Sequence, residues 1–98
     1  MEIGRSSENR TLGLVKVSFN SADRANKSAI WIDGGIHARE WITPATVTYM
    51  LNELLHCATN SSTTKETCAV AAQFDWYILP VFNPDGYVHS WTKVLPTK

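Results

Sequence analysis

Long apolar runs are missing from this sequence, and none approaches the ~20 residues that a helix needs to cross a bilayer, so no transmembrane helix and no membrane partner are expected. Met1-Glu2-Ile3-Gly4-Arg5 is followed by no apolar core, so no signal peptide is expected at this start. Charge of one sign is also missing. Nine Lys and Arg balance nine Asp and Glu, and without a basic patch no nucleic-acid partner is expected. Hydrophobic residues make up 44% and charged residues 18%, a balance that does not point to disorder. Cysteine is scarce: Cys57 and Cys68 flank a polar loop and form either a small disulfide or two reduced thiols. No internal repeat or second domain is visible, and 98 residues make at most one small domain.

What is present gathers around Gly34-Gly35-Ile36-His37-Ala38-Arg39-Glu40-Trp41-Ile42-Thr43-Pro44. His37 and Glu40 stand three apart, and on a tight loop or one helical turn that spacing points an imidazole nitrogen and a carboxylate oxygen at one place, where a zinc ion can be held. The plainer alternative is that the two pair with each other or cap a helix.

The string from Ile30 to Pro44 closely resembles the zinc signature of the secreted carboxypeptidase A/B type metallocarboxypeptidases. Two further stretches are similar to that family, in the family's order: Ile3-Gly4-Arg5-Ser6 with Glu8 and Arg10, and Asn83-Pro84-Asp85-Gly86-Tyr87. The resemblance implies that His37 and Glu40 are two of three protein ligands to a zinc cofactor. It implies that Arg39 contacts substrate beside the cleavage point; the alternative for Arg39 is a surface salt bridge to Glu40 or Asp33. The family's third ligand, its general base and its carboxylate-binding residues lie farther along the chain, so no catalytic residue is assigned within this sequence. His89, near the later turn, is not expected to be a ligand, and His56 reads as structural.

The implied activity is zinc-dependent release of C-terminal residues from peptides. The 98 residues are then expected to be a partial catalytic domain, truncated at both ends and inactive alone. The alternative is a non-catalytic truncated homologue that binds a partner or regulates. Implied partners are peptide or protein C-termini, a propeptide and a protein inhibitor. Secretion is expected from the resemblance, with the two cysteines and sequons at Asn9, Asn26 and Asn60 in accord.

Taken in order, residues 1–11 read as an exposed polar segment. Leu12 to Phe19 reads as a strand whose partner is the next apolar run, with Asn20 to Ser28 as a hairpin loop or similar short connection. Ala29 to Asp33 is continuously apolar up to its last residue, the pattern of a strand covered on both faces, and Gly34-Gly35 ends it. Thr43 is a good N-cap and Pro44 a good first residue for an amphipathic helix over 44–56, with Val47, Met50, Leu51, Leu54 and Leu55 on its apolar stripe and Thr46, Asn52 and Glu53 facing water. A polar loop over 58–66, a short helix over 68–74, a strand over 76–82 with Pro80 marking an edge, a bulge or an early end, and a turn at 83–86 follow. The fold class is α/β: a mixed β-sheet flanked by helices, present in part.

Overall fold

A computed structural model describes residues 1–19, 27–59 and 65–92. Ile78 and Leu79, at 0% and 1% exposure, lie at the end of one strand and mark the centre of the molecule. That strand, β5 (Phe74–Leu79), is flanked on one side by β3 (Val15–Val17) and on the other by β4 (Ser28–Asp33). β4 runs parallel to β5, from Ser28 opposite Phe74 to Asp33 opposite Leu79. β3 runs antiparallel, with Val15 opposite Ile78 and Val17 opposite Trp76. The sheet is therefore mixed. Parallel neighbours cannot be joined by a tight turn, and α1 (Ile42–Ala58) and α2 (Lys65–Ala71) supply the crossover from β4 to β5. A separate antiparallel pair, β1 (Glu2–Arg5) and β2 (Thr11–Gly13), precedes the sheet, and α3 (Pro84–Thr92) follows it.

The core forms where α1 meets the sheet. Val17, Phe19, Val47, Leu54, Ala71 and Ile78 are its buried members, with Ile32, Leu51, Cys57, Ala72 and Trp76 packed against them. Val47 and Leu54 are two helical turns apart and so share the inner face, and burying each such side chain contributes about 1.5–3 kcal/mol. Thr46, Asn52 and Glu53 face solvent as the periodicity requires. Met50 and Leu55, at the margins of the stripe, remain 36% and 44% exposed. A disulfide between Cys57 and Cys68 ties the end of α1 to α2 and answers the question that the sequence left open.

Several expectations are corrected by the sheet order. The run from Leu12 to Phe19 is not one strand: it divides at buried Leu14, β2 pairing with β1 and β3 with β5. β3 and β4 are not a hairpin, because the more deeply buried β5 lies between them. β5 is thus central rather than an edge, and it ends before Pro80, which has no N–H to donate to a ladder. β4 is not covered on both faces among the described residues; its burial alternates, and Trp31 is 50% exposed. Residues 1–11 are largely exposed, as expected, and they also form most of the β1–β2 hairpin. Its turn places Asn9 at φ 65°, a left-handed conformation that asparagine tolerates better than most residues. The short helix begins at Lys65 and ends at Ala71, earlier than expected. The sequons at Asn26 and Asn60, most of the 20–28 connection and residues 93–98 lie outside the described residues.

Candidate metal centre

The loop from Gly34 to Trp41 leaves β4 at the carboxyl end of the two parallel strands, the edge at which open α/β sheets commonly bind ligands. Its first two residues are glycines for steric reasons. A Cβ on Gly34 would lie 2.8 Å from the Thr43 carbonyl oxygen and 2.9 Å from Val47 Cγ2. Gly35 has φ 75°, and a Cβ there would lie 3.2 Å from Pro44 Cγ. This close passage lets the backbone continue the β4–β5 pairing into the loops: Gly34 N–H donates to the Leu79 carbonyl (3.0 Å), Phe82 N–H to Gly34 (2.7 Å) and Asn83 N–H to Gly35 (3.1 Å).

Thr43 does not cap α1, which begins one residue earlier at Ile42 with Trp41 in the cap position. Its hydroxyl instead accepts from Gly35 N–H (2.8 Å) and donates to the Glu40 carbonyl (3.1 Å), pinning both ends of the loop. Glu40 N–H donates to the His37 carbonyl (3.0 Å) and closes a turn that puts the side chains three apart on one side. His37 Nδ1 lies 3.3 Å from Glu40 Oε1, with the side chains 61% and 56% exposed. Ala38, between them, is buried and anchors the loop. Arg39 is exposed on the same loop. Trp41 packs toward α3: its indole N–H donates to Ser90 Oγ (2.8 Å), and its ring lies 5.9 Å from that of Tyr87.

The 3.3 Å contact is the direct pairing of His37 with Glu40 that the sequence left open, and the donor types and their separation also fit zinc. Two ligand atoms each about 2.0–2.1 Å from a tetrahedral zinc stand about 3.4 Å apart, close to the spacing found here. An imidazole nitrogen and a carboxylate oxygen are both ordinary zinc donors. Among the described residues no group of three His, Cys, Asp or Glu able to hold a metal is assembled. Neither His56, in the last turn of α1, nor His89, exposed on α3, completes such a group.

A second cluster, which the residue-by-residue reading left without a role, lies behind this loop. Asp85, in the first turn of α3, accepts from Ser6 Oγ (2.7 Å), Ser7 Oγ (3.2 Å), Glu8 N–H (3.1 Å) and Arg10 Nη1 (2.9 Å). Ser6 Oγ in turn accepts from Arg10 N–H (2.9 Å), and Glu8 Oε1 shares the Arg10 guanidinium (3.0 Å). The bond from Ser6, opposed by partial desolvation and reinforced by Arg10, the Glu8 amide and Ser7, lowers the Asp85 pKa from 3.8 to about 2. Asn83 caps the helix, its Oδ1 accepting from Gly86 N–H (3.0 Å), with Pro84 as the first helical residue. The expected turn at 83–86 is therefore the start of a helix. The only signal of this cluster in the sequence was that its two halves are the two outlying matches to the family.

Known proteins resemble this chain over nearly its whole length. The family model described as zinc carboxypeptidase matches residues 1–98. Zinc carboxypeptidase A 1 of Anopheles gambiae is 45% identical over 91 residues, which are 93% of this chain and 19% of that protein. Carboxypeptidase B of Astacus astacus is 44% identical over 91 residues, 93% of this chain and 27% of that protein. Among solved structures, thrombin-activatable fibrinolysis inhibitor superposes with a TM-score of 0.82 at 38% identity, covering 95% of this chain and 22% of that one. The bovine form of that protein, in complex with tick carboxypeptidase inhibitor, gives 0.70 at 35% identity, covering 95% and 26%. The chain spans 19% and 27% of the two curated relatives' lengths, so the match concerns one part of their fold. With a mixed α/β sheet, a glycine-led loop at its carboxyl edge and a model match over the whole sequence, the chain belongs to the zinc carboxypeptidase family.

Proposed function

We propose that His37 and Glu40 supply two ligands of a zinc site that serves hydrolytic release of C-terminal residues from peptides. The observation that carries this reading is the 3.3 Å approach of His37 Nδ1 to Glu40 Oε1 on an exposed loop. Zinc held by these two residues would supply Lewis-acid polarisation of a carbonyl and of a water molecule. Glu40 offers its carboxylate oxygen and His37 its Nδ1 lone pair, while the pinned turn between them fixes their separation before any metal arrives. Arg39, on the same loop, offers a forked guanidinium to the substrate next to the cleavage point. The substrate class is the C-terminal end of a peptide or protein. A propeptide and a protein inhibitor are further partners, the latter in keeping with the inhibitor complex of the bovine relative. The Cys57–Cys68 disulfide supports a secreted protein.

The 98 residues form a partial catalytic domain and turn over no substrate alone. Zinc catalysis of this type uses three protein ligands and a general base, and the described residues bring only two such donors together. That same observation favours a second reading, a non-catalytic homologue that binds or regulates. Purified chain assayed with a model peptide, with metal content measured in parallel, tests both. Weak stoichiometric zinc with no released residue is expected. Release that a chelator stops would overturn the inactive-alone proposal, and absence of any zinc uptake would overturn the metal site.

A further inference from the structure

We infer that Asp85 is a positioning residue for the metal loop: it fixes the first turn of α3 against the amino-terminal hairpin, and that turn in turn sets where His37 and Glu40 stand. The inference rests on the reading of those two residues as zinc ligands. Asp85 and Gly86 are consecutive and make contacts in opposite senses. The Asp85 carboxylate, 15% exposed, is held by four donors from residues 6–10, which lie 75–79 positions away in the chain. Gly86 meets the metal loop so closely that a Cβ on it would lie 2.6 Å from Ala38 Cβ and 2.6 Å from Asn83 Nδ2. Ala38 is the buried anchor between His37 and Arg39.

The contact is reinforced on both sides of Gly86. Asn83 Nδ2 donates to the Ile36 carbonyl (3.4 Å), and the Trp41 indole reaches Ser90 and Tyr87. The loop carrying the zinc donors therefore rests on the 82–90 segment along its length, and the described ties of α3 to the hairpin converge on Asp85. A shift of that first turn displaces Ala38, and with it the turn that sets the 3.3 Å separation.

The full chain carrying Asp85→Asn or Asp85→Ala tests this. Two readouts are used: zinc affinity by titration calorimetry, and the amide chemical shifts of residues 36–41 without metal. A loss of zinc affinity of about tenfold is expected, the lower end of what outer-shell changes cause at metal sites, with shifts concentrated in the loop. Ser6→Ala, altered only on the hairpin side, should move the same loop resonances, and combining it with Asp85→Ala should add little. Leu51→Ala, on the core side of α1, is the control for general loosening: it should lower the melting temperature and leave the loop shifts in place. Loop shifts unchanged by both Asp85 variants, or reproduced by Leu51→Ala, overturn the inference whatever the metal does. His37→Ala addresses the underlying reading separately, since zinc affinity unaffected by it removes the metal site itself.

Discussion

His37–Glu40 and Asp85 with its partners are two polar constellations among the described residues, and they are built in opposite ways. The first is local, three residues apart, and both side chains are more than half exposed. The second is drawn from residues more than seventy positions apart, with a carboxylate only 15% exposed and four donors upon it. An exposed pair on a short loop contributes little to folding and leaves its donor atoms open to a ligand. A sheltered carboxylate that joins two distant segments is occupied in holding the molecule together. One region is available for chemistry because the other is committed to structure.

That division is broken most severely by Glu40→Gln, which should lower zinc affinity by about 100-fold or more while leaving stability within about 0.5 kcal/mol, checked by metal titration and urea denaturation. An equal loss of stability would show the pair to be structural. Gly86→Ala comes next. Its methyl group must displace Ala38 or Asn83, a cost of about 1–3 kcal/mol, against about 1 kcal/mol of helix propensity gained. Urea denaturation should give a net loss together with weaker zinc binding.

Acid sharpens the contrast more gently. The native pKa of Asp85 is about 2, below the ordinary value near 3.9 of an unfolded carboxylate. The native chain therefore releases this proton more readily, and its contribution to stability is complete above about pH 4 and lost as pH falls through about 2. Arg10 stays charged throughout this window, and Glu8 is the other carboxylate on that guanidinium. Melting temperatures of metal-free wild type and Asp85→Asn should differ at pH 5 and converge near pH 2. The smallest effect is expected at the exposed Glu2–Arg5 pair, another local i,i+3 contact. Glu2→Gln should change stability by no more than about 0.5 kcal/mol in the same denaturation assay.

The same contrast explains what could be read from the sequence. His37, Glu40 and the glycines before them are neighbours in the chain, so spacing alone places them together, and the apolar repeat of Val47, Leu51 and Leu54 gives α1 for the same reason. Strand order is not local. Nothing in Val15–Val17 states that it pairs with Phe74–Leu79 rather than with Ser28–Asp33. Thr43 has the composition of an N-cap, yet the close passage of Gly35 draws its hydroxyl away from the helix. Asp85 is one more carboxylate in the sequence until the hairpin folds onto it, and only the family's two outlying motifs hinted that residues 6–10 and 85 belong together.

The central claim is that His37 Nδ1 and Glu40 together take up zinc, and nitrogen NMR of the histidine side chains during a zinc titration addresses it directly. The account predicts a large shift of the His37 Nδ1 resonance, abolished by Glu40→Gln, with His56 and His89 unchanged. Shifts spread evenly over the three histidines, or confined to His56 or His89, would contradict it.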